Sequence, residues 1–267
     1  MFQVSESSPK PKVMGALVTA EPHAGKTTGT RQFKKAYLEN VPGALPDDIL
    51  LFRIPGRARL KGVMIKMGIQ LKIPDIPANP TKSFPTFMLI DKVAAKLVKN
   101  HVKLVIIDEF QKLFELPGES RVEILSGFND LVNECHIPIV LVGVAGVERI
   151  LDIGHYDKDE GNLKGTFCSR FPEFRLEVWA DPHSPKFAAL LKVIYDDCGL
   201  LPPAETSPFF TSDEIREWIL QVTGGLTGKI IHLIKWAARI VIRNNLPEVI
   251  TADVLAEALK GLQANGW

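Results

Sequence analysis

Ala20-Glu21-Pro22-His23-Ala24-Gly25-Lys26-Thr27-Thr28 is the stretch on which the reading of this chain turns. A short apolar run, Val13 to Thr19, precedes it and reads as a buried parallel strand. A helical pattern over Gly25 to Glu39 follows it. The spacing is that of G-x-x-x-x-G-K-[ST], with Ala20 where the first glycine usually stands. Backbone N–H groups at the head of a helix are unpaired and favour an anion, so this turn can cradle phosphates from Ala20 through Thr28. In that arrangement Lys26 reaches the β- and γ-phosphates, the Thr27 hydroxyl ligates Mg²⁺, and Gly25 lets the backbone come close. Ala20 is compatible with this if its φ stays negative. His23, inside the loop, is either a phosphate contact or a loop filler.

A second element supports the first. Leu104 to Ile107 is a wholly apolar strand ending in Asp108-Glu109. Open α/β sheets bind ligands at the carboxyl ends of their strands. There Asp108 would hold the magnesium and Glu109 would polarise an attacking water. The order and separation leave room for two helices and a strand between Lys26 and Asp108. ATP with Mg²⁺ is therefore the expected ligand, and hydrolysis to ADP and phosphate the expected chemistry. Arg170, in Cys168-Ser169-Arg170-Phe171, could reach the γ-phosphate of a neighbouring subunit, or it could make an intrachain salt bridge. The strand Ile139 to Val144 ends without a polar side chain, which argues for slow hydrolysis. Lys229 begins a helix after Gly224-Gly225-Leu226-Thr227-Gly228 and is either a further phosphate contact or a solvated lysine.

Strand and helix alternate elsewhere in this region. Ile49 to Ile54 reads as a strand stopped by Pro55-Gly56. Residues 57–72 read as a basic helix weakened by Gly62 and Gly68. Prolines 74, 77, 80 and 85 mark an irregular loop. Helices are expected at Phe87–Asn100 and Ser120–Cys135, and a last strand at Phe174–Val178. Such alternation predicts a parallel sheet with helices on both faces. After Asp181-Pro182-His183-Ser184-Pro185 only helices are expected, at 185–198, 212–223, 226–243 and 251–263. Thr211 with Glu214 has capping-box spacing, and Thr251 is a candidate N-cap. The predicted organisation is an α/β domain over 1–180 and a helical lid over 181–267.

Composition is that of a globular protein, with 46% hydrophobic and 24% charged residues. The opening segment lacks the apolar core of a secretory signal, and no run is long enough to span a bilayer. Cys135, Cys168 and Cys198 are scattered, without zinc-ligand spacing, and point to a reducing cytoplasm. The net charge of +1 hides an acid-free stretch containing Arg57, Arg59, Lys61, Lys66 and Lys72. Asp157 to Cys168 resembles a calcium loop only superficially, lacking its central glycine and its final glutamate. No Ser–His–Asp or Cys–His arrangement suggests a hydrolase or nuclease.

Four segments carry a resemblance. Val105–Leu113 (VIIDEFQKL), Ile137–Val144 (IPIVLVGV), Cys168–Trp179 (CSRFPEFRLEVW) and Gly224–Ala238 (GGLTGKIIHLIKWAA) resemble the TniB/TnsC family of AAA+ regulators of DNA transposition. IstB and MuB are more distant relatives in pattern. The resemblance covers roughly residues 13–243. It implies a P-loop AAA+ ATPase domain with a C-terminal helical lid. It also implies an oligomer, ring or helical filament, that binds duplex DNA and carries target choice to a transposase and a target-selection protein. By position, Lys61, Thr81 and Lys82 match segments that face the DNA channel, with Arg57 and Arg59 beside them. The chain departs from the family at Val144, where a polar residue is common, and in the short segment before the first strand. A helicase-loader or origin-recognition ATPase, or a nucleotide-gated scaffold with little hydrolysis, are the alternatives.

Overall fold

Short aliphatic runs bounded by turn formers become the strands, and the helices between them follow from the strands' direction. A computed structural model describes residues 15–56, 59–74, 76, 85–147, 171–200 and 212–267. Five strands, β1 (Ala16–Ala20), β2 (Ile49–Arg53), β3 (Leu104–Asp108), β4 (Ile139–Val144) and β5 (Glu173–Arg175), form one sheet in the order β2-β3-β4-β1-β5. All four pairings are parallel. Parallel neighbours need crossovers. These are α1 (Lys26–Asn40) after β1, α2 (Leu60–Gln70) and α3 (Thr86–Lys99) after β2, and α4 (Gly118–Cys135) after β3.

Side chains alternate across the sheet as strand geometry requires. On β3, Val105 and Ile107 enter the larger core with α2, α3 and α4. Ile106 faces the other side, with Ile49, Val142 and Tyr37 of α1. The segment expected as a basic helix over 57–72 is helical only over Leu60–Gln70, and it buries Leu60, Val63, Met64, Ile65 and Met67. Lys66 is exposed and Lys61 half-buried. Gly68 does not weaken this helix needlessly, because a Cβ there would collide with Ile76.

Two further expectations shift. β5 ends at Arg175, and the backbone N–H of Trp179 donates instead to Gly225 O at 3.0 Å. A 3₁₀ turn over Phe110–Glu115, absent from the sequence reading, buries Phe110 and Leu113.

The C-terminal helices are α5 (Pro185–Asp196), α6 (Asp213–Thr223), α7 (Thr227–Arg243) and α8 (Ala252–Ala264). α7 is their centre: Ile230, Leu233, Ile234, Ala237 and Val241 recur at helical spacing and meet Phe187, Leu191, Ile219, Leu255 and Ala258. Thr251 caps α8 by accepting from Val254 N at 3.4 Å. The cap of α6 is Ser212, accepting from Ile215 N; with Ile215 at the third helical position there is a simple cap in place of the expected Thr211–Glu214 box. Thr211 itself lies outside the described residues. Each cap contributes about 1 kcal/mol.

The chain divides into two compact units, Met1–Ala20 with Lys26–Arg175, and Glu21–Gly25 with Leu176–Trp267. Among the described residues no helix is long and apolar enough to cross a membrane. Cys135 and Cys198 are free thiols whose pKa burial pushes up, and Cys168 lies outside the described residues.

Asp48 is the one buried carboxylate among the described residues, and it ties the starts of β2 and β3 to α1. Its Oδ2 accepts from Lys103 Nζ (2.9 Å), Tyr37 OH (3.0 Å) and Leu45 N (3.1 Å). Its carbonyl accepts from Lys103 N at 2.7 Å and Leu104 N at 3.1 Å. The Lys103 ammonium, then the Leu45 N–H, hold the carboxyl below its usual range against the opposing effect of burial. A carboxyl depressed in the folded state stabilises above its unfolded pKa, and the contribution is lost as pH falls through the folded value. Asp48→Asn should therefore melt below wild type at neutral pH, with the gap narrowing as pH drops from about 4. Thermal melts across that range check this, and a gap that stays constant into acid would exclude the carboxylate's charge as the cause.

Candidate functional site

In β1 the last residue, Ala20, is fully buried and stands opposite Val144 of β4 in register. Its φ is not positive, which is why a methyl is accepted at this position. The loop turns at two other residues, His23 (φ 63°) and Gly25 (φ 85°). Gly25 needs its missing side chain twice over. Its φ lies in the left-handed region, and a Cβ would press on Thr227. The Ala20 carbonyl accepts from Ala145 N and from Lys26 Nζ, both at 3.0 Å. Lys26 thus opens α1 with its ammonium folded back onto the strand it follows.

Thr27, one residue on, donates from Oγ1 to Asp108 Oδ2 at 2.7 Å. The other carboxylate oxygen of Asp108 accepts the N–H of Glu109 at 2.8 Å. A hydroxyl and a carboxylate on two elements, brought within hydrogen-bond distance, are the hard oxygen donors that Mg²⁺ prefers. Among the described residues no group of three or more His, Cys, Asp or Glu could hold a metal alone. The donor set therefore fits an ion completed by phosphates and water rather than one caged by protein.

Glu109 adopts the left-handed conformation (φ 64°, ψ 35°), uncommon for a non-glycine residue and a frequent mark of a functional position. Its carboxylate is engaged on both oxygens. Arg53 Nη2 donates to Oε1 at 2.9 Å. Gln111 Nε2 donates to Oε2 at 3.1 Å, and Lys112 Nζ lies 3.9 Å from the same atom. Arg53 is the last residue of β2, level with Asp108 in the parallel register. The Arg53 side chain is 67% exposed, so its pair with Glu109 is weak, about 0–1 kcal/mol.

Of the residues expected to hold phosphate, Ala20 ends β1 and Lys26, Thr27 and Thr28 open α1, with Glu21 to Gly25 as the connection. Ala20 is buried; Glu21, Ala24, Gly25, Lys26 and Thr27 are half-buried; Pro22, His23 and Thr28 are exposed. The His23 carbonyl accepts from Gly228 N, in the first turn of α7, at 2.6 Å. Trp179 Nε1 donates to the neighbouring Thr227 hydroxyl at 2.9 Å. Lys229, on the same helix, places its ammonium 4.8 Å from the ring centre of Trp267. Arg59 is exposed at the start of α2, with Lys61 half-buried beside it. Arg57, Thr81, Lys82 and Arg170 lie outside the described residues. Sequence reasoning missed Arg53, Gln111 and Lys112. Arg53 alone left a signal, a cation closing an otherwise apolar strand.

Among solved structures, the chain is similar to the Aeropyrum pernix ORC2 protein in its ADPNP–ADP complexes, with 17% identity and a TM-score of 0.60. The match covers 93% of this chain and 62% of that one. The ADP form of the same protein matches with 15% identity and a TM-score of 0.59, over 92% and 62% of the two chains. This chain thus spans less than two thirds of the ORC2 chain, and the likeness is one of fold. No curated protein matches. The five-stranded parallel sheet with its flanking helices is an AAA+ fold. Residues 1–181 match the family described as bacterial TniB protein, and the chain belongs to that family.

Proposed function

We propose that this TniB-family protein is an ATP-dependent regulator of DNA transposition. It binds Mg·ATP, assembles as a ring or filament on duplex DNA in the cytoplasm, and recruits a transposase together with a target-selection protein. The observation that carries the nucleotide half of this reading is the 2.7 Å bond between Thr27 and Asp108 beside the Gly25 turn. Membership of the TniB family carries the transposition half. The ORC2 structures to which the fold is similar are described as ADPNP–ADP complexes and an ADP form, which supports a nucleotide as the ligand here.

In this reading Lys26 would leave the Ala20 carbonyl for the β- and γ-phosphates, and Thr27 and Asp108 would hold the metal. The bound Mg²⁺ supplies positive charge that offsets the charge developing on the transferred phosphoryl group. Glu109 orients the attacking water and accepts its proton. Arg170 of a neighbouring subunit adds a cation at the γ-phosphate, which couples turnover to assembly. Arg57, Arg59, Lys61, Thr81 and Lys82 contact phosphates of the DNA, which positions the protein without reading sequence.

A second reading, a nucleotide-gated scaffold with little hydrolysis, draws on one observation. The Glu109 carboxylate is held by Arg53 and Gln111, and Val144 offers no polar group at the neighbouring strand end. The two readings meet in Arg53. Arg53→Ala should raise DNA-free ATP turnover severalfold by freeing the carboxylate, whereas Glu109→Gln should lower turnover by about a hundredfold or more. Steady-state phosphate release measures both, and turnover indifferent to Glu109→Gln would leave only the scaffold.

Lys26→Ala should abolish nucleotide binding and, with it, assembly on DNA. Sedimentation of the variant with DNA and ATP tests this, and unchanged assembly would end the ATP-gated mechanism. Lys61→Ala should weaken duplex binding at every sequence alike and reduce the slope of log affinity against log salt by about 0.9. Nucleotide affinity stays as in wild type. An unaltered salt slope would remove Lys61 from the DNA contact.

A further inference from the structure

α7 has two faces that differ in kind. One carries Ile230, Leu233, Ile234, Ala237, Ala238 and Val241 into the core. The other gathers every charged residue of the helix. Its sequence contains no acid, and Lys229, His232, Lys235, Arg239 and Arg243 recur at three- and four-residue spacing along the outward side. Two of these cations already have partners, Lys235 on Asp197 at 2.6 Å and Lys229 on the Trp267 ring. Arg239 and Arg243 are exposed and make no ion pair among the described residues. The Arg239 guanidinium rests 6.0 Å from the ring centre of Trp236.

An open, mostly apolar hollow of 420 Å³ is lined by these two arginines together with Trp236, Ile240 and Ile242. Ile242 is 58% exposed. An isoleucine held open to water beside two guanidinium groups that make no ion pair among the described residues is a combination that packing alone does not require. We propose that this face of α7 docks an acidic amphipathic segment of a partner protein, an aliphatic or aromatic anchor filling the hollow over Ile240 and Ile242 while carboxylates bind Arg239 and Arg243.

The chemistry favours a peptide over nucleic acid. A phosphate backbone would satisfy the guanidinium groups but has no apolar group for the hollow. The Trp236 ring is not presented for base stacking, since its indole edge packs against Gly261 and Arg239 lies over it. An amphipathic acidic helix satisfies both parts of the surface together.

The test uses the full chain and three labelled probes. These are a synthetic helix of leucine, alanine and glutamate with its leucines on one face, a scrambled peptide of the same composition, and duplex DNA. Fluorescence anisotropy should show the amphipathic helix binding about tenfold or more tighter than the scrambled one. Ile242→Asp should erase that difference, and Arg239→Glu with Arg243→Glu should abolish binding of both acidic peptides. ATP binding should be unchanged in each variant. Equal binding of the two peptides, or no effect of Ile242→Asp, overturns the proposal. DNA binding lost in the arginine variant while peptide binding persists would make this a phosphate surface instead.

Discussion

Parallel register is the constraint on which the candidate site depends. With every strand running the same way, Ala20 lies level with Val144 and Arg53 lies level with Asp108. All four residues end their strands, so their side chains and the turns beyond them collect along one edge of the sheet. β4 separates β1 from β3. The link between the start of α1 and the acidic pair is therefore made by Thr27, whose hydroxyl reaches Asp108 Oδ2. A shift of one residue in the β2–β3 pairing would turn Arg53 or Asp108 to the opposite face and undo the contact of Arg53 with Glu109 or that of Asp108 with Thr27.

The two adjacent carboxylates occupy different surroundings, and this separates their roles. Asp108 is fixed by a hydroxyl and by the next backbone N–H, both neutral donors close to the sheet. In the proposed function these same oxygens would be shared with a metal. Glu109 is aimed away from Asp108 by its left-handed backbone and is held by side chains, one of them a largely exposed arginine. An exposed ion pair contributes little to stability and is weakened by salt. The contacts that hold Glu109 are therefore a minor part of the fold's stability, and in the proposed function they would restrain the carboxylate that turnover needs free.

Much of the sheet was legible because strands buried on both faces are continuous apolar runs, as at Ile49 to Phe52 and Leu104 to Ile107. The acidic pair and the Gly25 turn were legible because their spacing is local. What escaped is non-local. That Arg53 meets Glu109 follows from the pairing of β2 with β3, which no local pattern states. The 57–72 segment reads as basic when its charges are counted, yet α2 is defined by the six residues it buries, with lysines only on its outward side. The C-terminal end of the predicted β5 was misjudged for a similar reason. Leu176 and Val178 continue the alternation of a strand, but the Trp179 N–H is taken by Gly225, and Gly225 is small because a Cβ there would strike the Trp179 carbonyl.

A net charge of +1 would ordinarily argue against an anionic partner. Its near-neutrality is a sum over surfaces of opposite character. The stretch from Arg57 to Lys72 contains no acid, and neither does α7. Electrostatic attraction falls off within about a Debye length, roughly 8–10 Å at ordinary ionic strength, so a partner meets one helix face and not the total. On α7 the charge is further sorted by the fold itself. Burying its aliphatic residues against α5, α6 and α8 forces every cation of the helix to the outward side. Core packing alone thus produces a basic face from an amphipathic sequence. What it does not account for is Ile242, which remains outside the core and beside the arginines. That one apolar residue is what distinguishes a docking surface from a solvated helix face.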